Sequence, residues 1–450
     1  MCISAMCSNK RSFKCILLQV LLVLSLIFTY HFNLNLKYEN CPKCAEKLIF
    51  QRIDLEDLSF IGPIRVGKES SKFGYILTGE PYRNVPIGYT NNNDTVVKIK
   101  RQFSCRNWAV VTTIYNPTDS VRLIASNRNW CVAIVADINS QSKDVYLSAL
   151  GYNSKRIIIL ETKDQDIFSP DLSMSIPWHH YGRKNIGYIF AIQNGAELIW
   201  DFDDDHEGIL DTSIIQMHTT MHVLKRCRGS NRLFNPYPYF GANETYIWPR
   251  GYPLEGIRDT STTPTLCIGN VSLGSVGVIQ SLTNFEPDVD AIFRLTRDHP
   301  LNFEAKGTFP SIVVPQDSYC PFNAYATLWT KQAFPYMALP ISVQSRVSDI
   351  WRSYIAQLFF HRNDINLIFS PSFVIHKRTL NNTLGNLNAE IDLYQKSNIM
   401  VSFLNEFERN PNITMQTLYE ELYRRGFVEL EDLYFINLWI KAFNEVSASQ

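Results

Sequence analysis

The sequence has no net charge. Its 450 residues carry 43 Lys and Arg against 43 Asp and Glu, so the bulk composition offers no basic surface and no nucleic-acid partner is expected. No internal repeat or low-complexity segment is present, which excludes repeat architectures. Cys41-Pro-Lys-Cys44 has no second such pair elsewhere. It therefore reads as a stem disulfide, within or between subunits, rather than as half of a metal or redox site. No small-x-small cleavage site follows the first apolar run. What is present is a globular composition, 45% hydrophobic and 13% aromatic, in a chain long enough for one large domain or two ordinary ones.

That first apolar run sets the compartment. Lys10, Arg11 and Lys14 precede Cys15 to Tyr30, and the run continues with polar interruptions to Leu36. This is roughly the twenty residues a bilayer-spanning helix needs, and the basic residues before it place the N-terminus in the cytosol. An uncleaved signal anchor is expected; the alternative is a cleaved signal peptide. Either way the rest of the chain is lumenal or extracellular. Sequons at Asn93, Asn243, Asn270, Asn381 and Asn412 agree weakly. The cysteines after the anchor are Cys41, Cys44, Cys105, Cys131, Cys227, Cys267 and Cys320. Their number is odd, so at least one is free or pairs between chains.

Beyond the stem, Trp108 to Ile114 is the first buried strand, with Asn116-Pro117-Thr118-Asp119 as turn and helix start. Cys131 to Ala136 and Arg156 to Leu160 are the next strands. Asp137 leaves the second, where a carboxylate meets a ribose or base, or simply sits on a surface turn. Val276 to Leu282 and Val289 to Leu295 read as further strands. Strands alternating with helical patterns imply a mostly parallel sheet with helices on both faces. Asn235 to Gly241 and Trp248 to Pro253 are rich in aromatics, Pro and Gly, and suit either sugar rings or a rigid packed loop. Thr417 and Glu420 have capping-box spacing, and Gly426 stops that helix within a helical C-terminal tail.

The most informative stretch is Ile186 to Asp205. An apolar helix closes at Asn194-Gly195, Leu198-Ile199-Trp200 is a short buried strand, and Asp201-Phe202-Asp203-Asp204-Asp205 follows. Carboxylates this dense repel unless solvent or a cation screens them. Most acidic runs are solvated turns. Here the run leaves an apolar strand, and sites in open α/β sheets lie at strand carboxyl ends. A hard divalent cation is the alternative, because it prefers oxygen ligands. Further on, Ile350, Tyr354 and Leu358 share a helix face. Ser348 or Asp349 caps that helix, or Asp349 is a general base in a cleft.

Several blocks together resemble the STELLO family of Golgi type II membrane proteins, regarded as glycosyltransferases. They are Trp108-Ala-Val-Val, Arg183 to Ala196, Asp201-Phe-Asp203-Asp204, Asn235-Pro-Tyr, Trp248 to Glu255, Pro287-Asp288-Val-Asp290 and Asp349-Ile-Trp-Arg352, in the family's order from Trp108 to the His376 region. The resemblance implies a GT-A-like, Rossmann-type mixed sheet flanked by helices. The expected layout is a cytosolic tail (1–14), a transmembrane anchor (15–36), a stem and domain edge (37–101), the GT-A-like domain (102–380) and a helical region (381–450). It implies Asp201, Asp203 and Asp204 as metal ligands, with Asp201 also on the ribose, Asp205 departing from the pattern, and His376 as a late metal ligand. Arg183 and Lys184, at a helix start, suit a diphosphate, and Asp137 the nucleotide. Asp349 falls where such enzymes keep an acceptor base. The expectation is a Golgi transferase that moves sugar from a nucleotide-sugar donor to a glycan or glycoprotein acceptor, with Mn²⁺ or Mg²⁺. The alternative is an inactive GT-A-like membrane protein that scaffolds or sorts Golgi enzymes. A homodimer or a complex with other Golgi enzymes stays open.

Overall fold

Strand β1 (Asn107–Thr113) explains the layering. Trp108 and Val110 pack in one apolar cluster, Ala109 and Val111 in another, as alternate residues of a strand must. Strand β2 (Cys131–Ala136) divides the same way, with Ala133 and Val135 on one side and Val132 and Ile134 on the other. Both faces are covered, which is why these strands read as continuous apolar runs. The computed structural model describes residues 105–151, 155–209, 219–241, 246–297, 301–303, 310–376 and 382–448. All fall in the unit Pro63–Gln450. The expected anchor and stem, Cys41, Cys44 and the sequons at Asn93, Asn243 and Asn381 lie outside the described residues.

The remaining strands are β3 (Ile157–Leu160), β4 (Leu198–Phe202), β5 (His206–Glu207), β6 (Thr220–Arg226), β7 (Leu266–Ser272), β8 (Val276–Phe285), β9 (Ser311–Val313), β10 (Ala326–Thr330) and β11 (Asn366–His376). The sheet runs β3-β2-β1-β4-β10-β8-β11-β9-β6-β7, with β5 attached to β11. The first four strands are parallel. β10 is antiparallel to both β4 and β8, and β8 and β11 are parallel again. The result is a mixed α/β sheet flanked by helices. One irregularity matters below. Between Ser370 and Val374, β11 shifts register against β8, so that Ser370 lies opposite Ser281 and Val374 opposite Thr283, as a bulged strand does.

Helix α1 (Asp119–Ser126) starts at Thr118, whose hydroxyl accepts from Val121 N; its Val121 and Ile124 fill the second cluster. Helix α2 (Lys143–Leu150) adds Tyr146 there. On the other face, α3 (Lys184–Gln193) is buried from Lys184 through Ile192. A Cβ at Gly187 would lie 2.6 Å from Val110 Cγ1 and 2.7 Å from Val135 Cγ2, so the missing side chain lets α3 touch β1 and β2. α3 ends where Gly195 takes a φ of +87°. Helix α4 (Ser345–Arg362) is buried from Val347 to Phe360. Helices α5 (Ile391–Phe407), α6 (Met415–Arg424) and α7 (Leu430–Ser447) follow. Phe435, Ile436 and Trp439 of α7 share one core with Trp108.

Three local expectations change. Val289 to Leu295 is not a strand: Asp290 Oδ1 accepts from Phe293 N at 2.8 Å and caps a helix over Ala291–Thr296. Ser348 and Asp349 are not caps, because α4 begins at Ser345 behind Gln344. In α6 the capping box is Thr414 with Thr417, not Thr417 with Glu420. The aromatic loops are packed, with Tyr237, Phe240, Trp248 and Tyr252 all buried. Disulfides join Cys105 to Cys131 and Cys227 to Cys267. Among the described residues Cys320 is a free, buried thiol, in keeping with the odd count. No helix among the described residues is long and apolar enough to cross a membrane.

Candidate functional site

The acidic run leaves β4 in two parts with different fates. Asp201 is still in the strand and fully buried. Its Oδ1 accepts from Lys184 Nζ at 2.8 Å and its Oδ2 from Arg352 Nη1 at 2.9 Å. Two helices, α3 and α4, thus each send one cation to this carboxylate. Lys184 also donates to Asp203 Oδ1 at 2.7 Å and to Ala324 O at 2.8 Å. Burial works against the charged lysine, but Asp201 and Asp203 outweigh it and hold its pKa above the ordinary value. Arg183, its neighbour, is also fully buried. It donates to Ser173 O, Ile176 O and Gln165 Oε1, and its guanidinium lies 3.6 Å from the Trp178 ring centre. Burial lowers its pKa to about 10. The basic pair expected to receive a diphosphate therefore spends its charge inside the protein. So does Asp201, expected on metal or ribose.

The outer part of the run faces the carboxyl edge of the sheet. Asp203 Oδ1 also accepts from Tyr181 OH at 2.9 Å, and its side chain is 27% exposed. Asp204 accepts from the Thr113 hydroxyl at the end of β1, and its backbone oxygen accepts from the Thr118 hydroxyl at 2.5 Å. Burial raises its pKa to about 6. Asp205 turns outward and meets two imidazoles. Its Oδ2 lies 3.1 Å from His376 Nε2 and its Oδ1 2.6 Å from His206 Nδ1.

The two histidines meet because β5 and β11 are antiparallel and place His206 opposite His376. Gly208 makes this approach feasible: its φ is +122°, and a Cβ there would lie 2.2 Å from Phe373 O. The His206 ring is stacked between Tyr325, at 3.9 Å, and His376, at 4.0 Å between centroids. Both its ring nitrogens are buried; Nε2 has no hydrogen-bond partner, and Nδ1 has only the close contact with Asp205. Burial lowers its pKa, which favours the neutral imidazole a metal ion needs. On Asp205, burial acts to raise the pKa, but the two imidazoles outweigh it and hold the carboxylate well below its ordinary range. One ligand atom each from Asp205, His206 and His376 lie within 4.8 Å of one another. An unpartnered buried imidazole nitrogen, a second imidazole and an ionised carboxylate fit a divalent cation. Of this trio only His376 was expected; Asp205 was set apart and His206 missed. The signal for His206 was its place directly after the run, which a two-residue strand hides from periodicity.

Asp137, at the end of β2, is buried. It accepts from Ile138 N at 2.6 Å and His179 N at 2.8 Å, so it fixes a loop in which His179 has a φ of +56°. Ser140 OH donates to Thr113 O at 2.6 Å, tying this loop to the end of β1. Beside these ties Tyr115 is 62% and Ile138 55% exposed. Asp349 in α4 is buried and receives Arg250 at both oxygens, 3.0 and 2.7 Å, while Arg250 Nε donates to Asp288 at 2.8 Å. Burial first, and then the charges of Asp203, Asp201 and Asp349, raise the pKa of Tyr181, the partner of Asp203.

A mixed α/β protein with a carboxylate–imidazole cluster at the carboxyl ends of its strands is the class these observations define. The STELLO glycosyltransferase family model matches residues 346–449. The Arabidopsis thaliana proteins STELLO2 and STELLO1, each described as a probable glycosyltransferase, are 26% identical over 356 and 365 residues, 75% and 77% of this chain. The chain is similar to these STELLO proteins over most of its length, and it spans about half, 45%, of theirs. Among solved structures, a mannosyltransferase from Pyrobaculum calidifontis, in complex with GDP-mannose and Mn²⁺, covers 78% of this chain and 89% of its own at 8% identity and a TM-score of 0.29. A likeness at that level fixes neither fold nor ligand here.

Proposed function

We propose that the protein is a GT-A-like glycosyltransferase that moves a sugar from a nucleotide-sugar donor to a glycan or glycoprotein acceptor. The observation that carries this reading is the Asp205–His206–His376 cluster, with His206 Nε2 buried and unpartnered and Nδ1 against Asp205. Those three residues would hold a divalent cation, with Asp203 and Asp204 alongside. When bound there, the cation offsets charge on the departing nucleotide diphosphate. Imidazole ligands suit transition metals, while Mg²⁺ prefers oxygen and water, so Mn²⁺ is favoured over Mg²⁺. The nucleoside lies along the ends of β1 and β2, where Tyr115 and Ile138 offer apolar surface beside Asp137. Lys184 acts from below: it fixes Asp203 through a hydrogen bond rather than touching the donor. Asp349 stands on the acceptor side. To take a proton from an acceptor hydroxyl it exchanges one of its Arg250 contacts for that hydroxyl.

The setting in this reading is the Golgi membrane, single-pass type II, with the described residues lumenal. The apolar run at 15–36 and two disulfides support it, since disulfides persist in oxidising compartments. The test is a panel of nucleotide sugars with and without Mn²⁺. A metal-dependent rise in melting temperature with one donor, and transfer lost in His376→Ala with the fold retained, is the expected result. No donor-dependent shift and no transfer leaves the scaffold reading.

A further inference from the structure

We infer that Asn270 is an N-glycosylation site whose glycan caps the free edge of the sheet. β7 ends the strand order, and among the described residues it pairs with β6 alone. An edge strand left open is a template for pairing with another chain, and folded proteins protect such edges. β7 has little protection of its own. Ile268 is 84% exposed, and no charged side chain occurs from Leu266 to Ser272. The strand alternation puts Ile268, Asn270 and Ser272 on one face, and both Asn270 and Ser272 are exposed. Asn270-Val271-Ser272 is a complete sequon.

The side chain is held ready. His222, directly across in register, lies with Nδ1 2.6 Å from Asn270 Oδ1. It donates to that oxygen, which leaves the contact off Nδ2, the atom that carries a glycan. The Cys227–Cys267 disulfide joins the end of β6 to β7, so this strand pair forms where disulfides persist. In the modification Nδ2 bonds to the anomeric carbon of an oligosaccharide, the lipid diphosphate of the donor leaves, and one Nδ2 proton is released. A sugar on Asn270 stands two residues, about 7 Å, from Ile268 and covers it. The inference rests on the lumenal placement proposed above, not on transferase activity.

The experiment expresses the full chain in a eukaryotic secretory host. Glycosidase release in heavy-oxygen water marks each occupied Asn, and mass spectrometry compares Asn270 with Asn412, the other described sequon. The expected result is a mark at Asn270. Ser272→Ala and Asn270→Gln should each lose that mark, keep the one at Asn412 and self-associate more than the wild type in sedimentation. Adding Ile268→Lys should reverse the self-association. A mark at Asn412 without one at Asn270 overturns the inference while leaving the lumenal placement intact. No mark at either, with Cys227 and Cys267 reduced, overturns both. Loss of the mark with unchanged self-association overturns the capping role.

Discussion

His206 and His376 lie opposite one another in antiparallel register, with ring centroids 4.0 Å apart. They are 170 positions apart in the chain, and Asp205 bridges them. His206 Nε2 is buried with no partner, so a metal ion there displaces no contact, whereas at Nδ1 it would replace the 2.6 Å contact with Asp205. Removing a metal ligand should cost at least as much as removing an outer-shell partner, about 10–100-fold in affinity. His206→Ala and His376→Ala are expected to weaken Mn²⁺ binding by at least that factor in calorimetric titration. Mn²⁺ at about 100 times its wild-type Kd should stabilise the wild type by about 2.7 kcal/mol and the variants by less, about 1.4 kcal/mol after a tenfold loss of affinity and about 0.4 kcal/mol after a hundredfold one. Equal binding by wild type and variants would remove the trio from the site.

Asp201 and Asp203 should separate by stability. Asp201→Ala leaves Lys184 and Arg352 buried without their shared partner, and breaking a buried pair costs about 3–5 kcal/mol. Asp203→Ala leaves Lys184 still paired with Asp201 and Tyr181 OH still bonded to Ala324 O, so a smaller loss, no more than about 1.5–3 kcal/mol, is expected, as for a hydrogen bond to a charged group. Urea denaturation of the two variants measures the difference. Similar losses would mean the run is not divided as described.

A third expectation concerns pH. Asp432 in α7 is fully buried and accepts from Ile341 N at 2.7 Å and Ser342 N at 3.1 Å. Burial outweighs these bonds and raises its pKa to about 6. An unfolded Asp titrates near 3.9, so between about pH 4 and 6 the folded state binds the proton more tightly. Its contribution to stability is therefore greatest below about pH 4 and falls as pH rises toward 6, by roughly 3 kcal/mol in all. Asp432→Asn should flatten this part of the stability–pH curve. A variant curve with the wild-type slope would contradict the assignment.

Gly187→Ala tests the helix-to-sheet contact. The added methyl group meets Val110 and Val135 inside ordinary contact distance, and overpacking of this kind costs about 1–3 kcal/mol. Gain in helix propensity offsets about 1 kcal/mol of that. A net loss by denaturant titration is expected, and Val135→Ala in the same chain should relieve part of it. A net gain would mean α3 can move away from β1 and β2 freely.

What was legible in the sequence was what depends on neighbours along the chain. β2 was read at its true limits because Cys131 to Ala136 is uniformly apolar. Thr118 and Gly195 announced a helix start and a helix end through their own backbone chemistry. The acidic run was found for the same reason. Its division was not legible, because Arg352 arrives from a helix 151 residues later and Lys184 from below the strand. Asp290 sat in an alternating pattern too short to tell strand from capped helix. His206 was missed because its environment is built by Tyr325 and His376, through a pairing of only two residues.

The register shift in β11 has a consequence for that pairing. Without it, Val374 would stand two residues further along β8, and His376 would overshoot Phe285 by about 7 Å. The slack between Ser370 and Val374 is therefore a gauge of length. It keeps the parity of the strand, so the same face of His376 is presented, and it sets how far the imidazole projects past the sheet. Deleting two of the residues Pro371 to Phe373 would straighten the strand yet keep Val374 opposite Thr283 and His376 opposite Phe285, whereas regular pairing of all three with β8 would carry His376 two residues past Phe285.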